Sequence, residues 1–243
     1  SIRDRIHTQS SPNHNERKGG PADMLLLHYT GMETGAGALA RLCDEQAQVS
    51  AHYLVFEDGR IVSMVDETRR AWHAGVASWA GDTDINSRSI GIEIVNPGHD
   101  LGYPNFPKVQ IDAVTALSAD IVQRRGITGA RVLAHSDVAP GRKADPGEKF
   151  PWAALAEAGV GHWVQPVELL EGPVLNLGDR GDSVAELQFQ LADYGYGIAV
   201  DGRFGEVTAH GVTAFHRHFR PAKVDGAADL STVGTLRLLR DAR

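Results

Sequence analysis

Five residues whose types could act together fall at comparable places along this chain. His28 ends an apolar run, "MLLLHYT" (24–30), and Glu93 sits inside another, "SIGIEIVN" (89–96). His135 follows "ARVL", and Asp145 lies in the Pro- and Gly-punctuated loop behind it, two places after Lys143. Two imidazoles and one carboxylate make a three-ligand zinc set whose fourth position is left for water. A zinc ion so held lowers the pKa of its water toward ~7 and polarises a carbonyl. A nearby glutamate can take the water's proton and pass it to a leaving nitrogen. A lysine ammonium can hold the developing oxyanion. Each residue also has a plain structural reading: a strand-end histidine packs, and an aspartate before Pro146 makes a turn. Glu93 fits that reading least, because a carboxylate in an apolar strand needs a partner. The helical H-E-x-x-H signature of many metalloproteases is absent.

The elements that must position these groups are readable from pattern. The runs at 24–30, 89–96 and 130–135 have the length and apolarity of buried strands. "AHYLVFEDGRIVSMV" (51–65) is two β-prone runs about Asp58-Gly59, a hairpin signal. Residues 38–46 have helical spacing. In 109–126, Ile111, Val114, Leu117, Ile121 and Val122 share one helical face that ends at Gly126. Residues 1–22 read as an irregular arm. Strands mixed with helices predict an α/β or α+β domain, a central mixed sheet flanked by helices.

The chain has 243 residues, room for one large and one small domain. Its 42% hydrophobic and 23% charged content suits a soluble globular protein with a real core. The formal net charge of −7 argues against a nucleic-acid partner. The lone Cys43 excludes an internal disulfide framework and any C-x-x-C metal knuckle. No run approaches the ~18 apolar residues of a membrane span, and no signal peptide is visible at the start.

Five blocks in order, "LLLHYTG", "SAHYLVFEDGRIVSMV", "RAWHAGVASWAG", "NSRSIGIEIVNPG" and "AHSDVAPGRKADPG..FPW", resemble the zinc-dependent N-acetylmuramoyl-L-alanine amidases of the AmpD/AmiD type. These are relatives of a phage lysozyme and of the peptidoglycan recognition proteins. The resemblance covers roughly residues 20 to 160. It implies one zinc per catalytic domain held by His28, His135 and Asp145, with Glu93 and Lys143 as the catalytic pair. It implies hydrolysis of the amide between N-acetylmuramic acid, or its 1,6-anhydro form, and L-alanine. Phage-type relatives carry a catalytic tyrosine where this chain has Ala51, so the proton work falls to Glu93. His52, next to it, reads as structural or supporting rather than ligating. Trp72, His73, Asn86 and Arg88 are candidates to line the groove and hold substrate, although a packed Trp72 and a salt-bridged Arg88 are also open. His7, His14, His99, His162, His210, His216 and His218 sit in no motif. A peptidoglycan-recognition protein without catalysis is the alternative, and the filled ligand positions speak against it. A glycosidase would need two carboxylates flanking its bond and no zinc.

Pro166 and Pro173 punctuate a stretch without clear period, and Val184, Leu187, Leu191 and Tyr194 mark a helix beyond it. Two segments then echo each other, from Val200 and from Val224: each has V-D-G, a threonine eight residues after the valine, and an aliphatic residue four further on. The stretch "GDRGDSVAELQFQLADYGYGIAVDGRFGEVTAHGVTAFHRHFRP" resembles a three-helix peptidoglycan-binding domain, with Phe215-His216 where such domains carry Phe-Gln. The expected organisation is a zinc amidase domain over 1–165, a linker over 166–174, and a separate peptidoglycan-binding-like bundle over 175–243. Peptidoglycan or muropeptide is the expected partner, with no obligate protein partner. A wall-binding tail favours the periplasm or cell envelope; the lack of a visible signal allows the cytoplasm.

Overall fold

The computed structural model describes all residues, 1–243. Eight strands form: β1 (Ile6–Thr8), β2 (His14–Glu16), β3 (Met24–Tyr29), β4 (Tyr53–Val55), β5 (Ile61–Ser63), β6 (Arg69–Ala71), β7 (Ser89–Ile94) and β8 (Val132–Ala134). Six of them make one mixed sheet in the order β1-β5-β4-β7-β3-β8, and β2 pairs with β6 beside it. The central strands β4, β7, β3 and β8 run parallel to one another, and the predicted hairpin β4–β5 is antiparallel. Residues 6–8 and 14–16 are therefore not the irregular arm the sequence suggested. They supply the sheet's edge strand and a small second ribbon, because short polar strands carry no apolar pattern to announce them.

The helices are α1 (Gly35–Leu42), α2 (Ile85–Arg88), α3 (Lys108–Arg125), α4 (His135–Val138), α5 (Trp152–Glu157), α6 (Asp182–Tyr194), α7 (Glu206–Phe219) and α8 (Leu230–Asp241). α3 ends where the sequence indicates, at Gly126 with φ of 63°. Alternation along the strands then divides the core in two. Leu25, Leu27, Ile90, Ile92, Ile94, Val132 and Ala134 face α3, packing on Val114, Leu117 and Ile121. Met24, Leu26 and Leu133 face the other way.

That second face carries the main departure from expectation. Met24, Leu26, Leu133, Trp79 and Val138 belong to one continuous buried cluster with Val184, Leu187 and Leu191 of α6, Phe215 and Phe219 of α7, and Leu236 and Leu239 of α8. Trp79, 1% exposed, sits edge-on to Tyr194 and Tyr196 at 6.0 and 4.8 Å between ring centroids. The helical bundle is thus the second layer over the sheet rather than a body hung on a tether. The segment before it also packs: Val167 is hydrogen-bonded to Thr235 and Ser231 of α8.

The internal echo has a physical meaning. On α6, buried Gln188 accepts the N–H groups of Asp201 and Gly202 and donates to Asp201 Oδ1, to the Arg203 carbonyl and to Thr208 Oγ1. On α7, buried His216 meets the Asp225 N–H at 3.4 Å and Thr232 Oγ1 at 2.8 Å. One polar side chain on each helix therefore reads the V-D-G turn and the threonine of the unit that follows it. His216 stands in for a glutamine inside the bundle, so this departure from the pattern is a packing matter.

Candidate active site

Register explains the convergence seen in the sequence. His28 on β3 is directly opposite Glu93 on β7, and Leu27 is opposite Ala134 on β8, so His135 follows one step beyond. The three groups thus come off the carboxyl ends of adjacent parallel strands, the usual crevice of such sheets. The loop after α4 then folds Asp145 back onto the two imidazoles. His28 Nδ1 lies 2.9 Å from His135 Nδ1 and 3.2 Å from Asp145 Oδ2, and His135 Nδ1 lies 3.1 Å from that same oxygen. All three residues are buried.

The surrounding hydrogen bonds settle which ring nitrogens carry protons. His135 Nε2 faces the Ala74 carbonyl at 2.9 Å and must donate to it. Ser89 Oγ donates to the Ile85 carbonyl at 2.6 Å, so His73 Nε2, 3.2 Å away, donates to Ser89. His73 Nδ1 is then an acceptor, and His28 Nε2 donates to it across 2.8 Å. Both Nδ1 atoms are left as lone pairs. Three acceptors therefore meet at one point without a donor between them, which is unfavourable unless a proton or cation sits there. A tetrahedral ion with bonds of ~2.0–2.1 Å places its donors roughly 3.3 Å apart, close to the triangle found. The donor set thus fits a small divalent cation.

The remaining polar groups divide into those that face the space and those that hold the walls. Glu93 Oε1 is 3.9 Å from His28 Nδ1, and Oε2 has no hydrogen-bond partner. Burial, followed by the Asp145 carboxylate, pushes the Glu93 acid well above the usual carboxylate range, and Lys143 opposes this. Burial would raise Asp145 too, but a proton on His135 or His28, standing where a cation would, holds its carboxyl well below that range. Burial, reinforced by His135, pushes His28 down to about 4. Exposed Lys143 forms no ion pair. These groups line a cavity of about 540 Å³ together with Tyr29, Trp72, His73, His99 and Arg41.

Of the expected substrate-binding residues, Trp72 lines the cavity, its indole N–H held by Asn15. His73 lines it as well, but both ring nitrogens are committed to His28 and Ser89, so it orients the His28 imidazole instead of reaching for substrate. Its ring lies against Gly91, where a side chain would collide with it. Asn86 is turned inward; its carbonyl oxygen accepts the N–H groups of His73 and Ala74. Arg88 is away from the cavity, bound to the Gly19 and Pro21 carbonyls and paired with Asp23. The last two expectations are corrected accordingly: Asn86 positions the His73 segment, and Arg88 ties down the segment leading into β3. His52 is structural, its Nδ1 accepting the Gly91 N–H. Sequence reasoning missed Arg142, which bonds the Ala74 and Val76 carbonyls and so pins the loop of Lys143 and Asp145 to the His73 segment. It also missed His99, stacked on Tyr103 and bonded to Tyr29 and Glu148. Neither stands in a spacing that local pattern could reveal.

Residues 18–148 match the N-acetylmuramoyl-L-alanine amidase family, and residues 180–236 match a putative peptidoglycan binding domain. The chain is 39% identical to the Escherichia coli N-acetylmuramoyl-L-alanine amidase AmiD over 224 residues, 86% of this chain and 79% of that protein. It is 43% identical to the E. coli 1,6-anhydro-N-acetylmuramyl-L-alanine amidase AmpD over 109 residues, 44% of this chain and 56% of that one. The fold matches the E. coli AmiD complex with anhydro-N-acetylmuramic acid-L-Ala-D-gamma-Glu-L-Lys at a TM-score of 0.79 and 35% identity, covering 93% of this chain and 92% of that one. It matches AmpDh3 of Pseudomonas aeruginosa at 0.74 and 32% identity, covering 96% and 94%. No helix is long and apolar enough to cross a membrane. The chain belongs to the N-acetylmuramoyl-L-alanine amidases, enzymes that hydrolyse the amide joining N-acetylmuramic acid to L-alanine.

Proposed function

We propose that this amidase is a zinc enzyme in which His28, His135 and Asp145 hold one ion. The observation that carries the reading is the meeting of two Nδ1 lone pairs and a carboxylate oxygen with no donor among them. Zinc, when bound, supplies Lewis acidity, polarising the scissile carbonyl and making water more acidic. Glu93, whose Oε1 lies 3.9 Å from His28 Nδ1, turns that oxygen to the attacking water and takes its proton. The ammonium of Lys143, free of any carboxylate, faces the charge that develops on the lactyl carbonyl oxygen. As the C–N bond breaks, Glu93 returns the proton to the alanine nitrogen, leaving a muramic carboxylic acid and a free amine. Trp72 forms part of the wall along which the substrate lies.

The AmiD structure holds an anhydro-muramoyl peptide, which supports muropeptides of that class as substrate here. The peptidoglycan-binding match supports polymeric murein as well, and with it a place in the cell envelope. The same matches support a catalytic domain over 1–165, a connection over 166–174 and a second domain over 175–243. The test is Glu93→Ala: the protein is expected to keep its zinc and lose about 10²–10⁴-fold in kcat, since a general base acts in the transition state. An unchanged kcat would remove Glu93 from the mechanism.

A further inference from the structure

The loop carrying the proposed ligands is held along its length by one helix of the second domain. At its start, the Asp137 carboxylate is completely buried. Its Oδ2 accepts the N–H of Ala134 at 2.9 Å, the residue before His135, and so closes the turn that aims the imidazole. The other two bonds to that carboxylate come from outside the catalytic domain. Tyr196 donates its hydroxyl to Oδ1 at 2.6 Å, and His218 on α7 binds Oδ2 through Nδ1, also at 2.6 Å. His218 is in turn fixed by its ring stack on Trp152, 3.7 Å between centroids. Further along the loop, the His210 ring lies against Gly141, whose φ of 77° and lack of side chain admit it. At the far end, Arg217 reaches Glu148 at 3.5 Å. Positions 217 and 218 lie two helical turns beyond 210, so α7 touches the loop at Asp137, Gly141 and Glu148, on both sides of Asp145.

We propose that the C-terminal domain is a working part of the amidase centre, with Tyr196 and His218 as positioning residues that hold Asp137 and, through it, the His135 turn. The inference rests on the zinc-site reading above. A surface-binding domain would need none of this: its bonds to the catalytic domain would be exposed and exchangeable. A buried carboxylate supplied with donors by two residues of another domain is costly to leave unpaired, and so fixes the relative placement of both partners. Groups that orient metal ligands from behind typically change metal affinity or activity by 10–100-fold when lost.

The experiment compares full-length variants, zinc-loaded. Tyr196→Phe removes one donor. His218→Phe removes the other and keeps an aromatic ring against Trp152, and His218→Asn returns an N–H donor to its place. Arg240→Ala breaks an exposed contact with Asp193 in the same bundle and serves as the control. Zinc transfer to a chelating dye, kcat and KM on a soluble muropeptide, and melting temperature are measured on each. Tyr196→Phe and His218→Phe are expected to release zinc about 10-fold faster and to lose about 10-fold in kcat, with KM nearly unchanged. His218→Asn is expected to recover most of both, and Arg240→Ala to lose neither. If both phenylalanine variants melt lower yet keep wild-type zinc release and kcat, the contact merely glues two domains and the inference fails. Wild-type protein that binds no zinc would sink the zinc-site reading itself, and this inference with it.

Discussion

Two buried polar clusters in this chain are built on opposite principles. In the helical bundle, Gln188 is met by two turn N–H groups and a threonine hydroxyl, and His216 by one turn N–H, a threonine hydroxyl and the Arg220 guanidinium. At the carboxyl ends of β3, β7 and β8, His28, His135 and Asp145 are as deeply buried, yet they turn acceptors toward one another. The first cluster is complete without anything else and holds turns in place. The second is short of a donor, and a proton or the proposed cation completes it. Burial alone therefore separates nothing; the count of donors against acceptors separates structure from chemistry.

The two regions are also physically joined, and the sharpest way to break the comparison is to part them. A bundle that was only a wall anchor could be deleted with little effect on a small soluble muropeptide. The shared core of Trp79, Val138, Phe215 and Phe219 predicts otherwise. Removing residues 175–243 uncovers the Met24–Leu26 face of the sheet and strips Asp137 of two donors. Cleavage of soluble muropeptide is expected to fall as far as cleavage of insoluble murein, to near background. A truncated chain that keeps its rate on the small substrate alone would show two independent domains.

Within the bundle the effect should be on stability only. Gln188→Ala leaves the Asp201 and Gly202 N–H groups without their acceptor, which typically costs about 1–3 kcal/mol. Denaturant unfolding is expected to show that loss, while kcat on a soluble muropeptide in the folded protein stays at the wild-type value. A comparable fall in kcat would mean that this cluster too reaches the active site.

The smallest effect concerns His216 and pH. Burial, with Arg220 next to it, pushes its imidazole down to about 4, against Asp225 and Asp229, which pull the other way, and Lys223, which adds to the fall. Its folded pKa lies below the unfolded value near 6.5, so the unfolded chain binds the extra proton between those limits. The contribution is therefore fully present above about pH 6.5 and is lost as pH falls toward 4, with a slope of at most about 1.4 kcal/mol per pH unit. His216→Gln is expected to flatten the difference in stability across that window. Parallel curves for wild type and variant between pH 4 and 6.5 would show that His216 does not titrate on unfolding.

What was legible in the sequence follows from the same physics. The apolar strands, the long helix ended by Gly126 and the convergence of His28, His135 and Asp145 have local signatures: runs of buried residues, a 3.6 period, a Pro- and Gly-marked loop. The short edge strands β1 and β2 have none, since exposed polar residues leave no pattern. The roles of Asn86 and Arg88 were misplaced because sequence gives a residue's neighbours along the chain and not the way its side chain turns. Asn86 turns inward to backbone, and Arg88 turns away to the segment at 19–23. The embrace of Asp137 by Tyr196 and His218 was out of reach for another reason. Its partners lie 59 and 81 residues away, and no periodicity spans two domains. The apparent linker hid the shared core in the same way, because two prolines and a lack of period describe a chain's local conformation and say nothing about what it packs against.

The central claim is that His28, His135 and Asp145 form a metal site. Zinc content per chain, measured by elemental analysis on the purified wild type and on Asp145→Ala, tests it most directly. The account predicts one zinc per chain in the active wild type and close to none in the variant, with activity lost alongside. An active wild type free of zinc, or a variant that keeps full zinc and full rate, would contradict it.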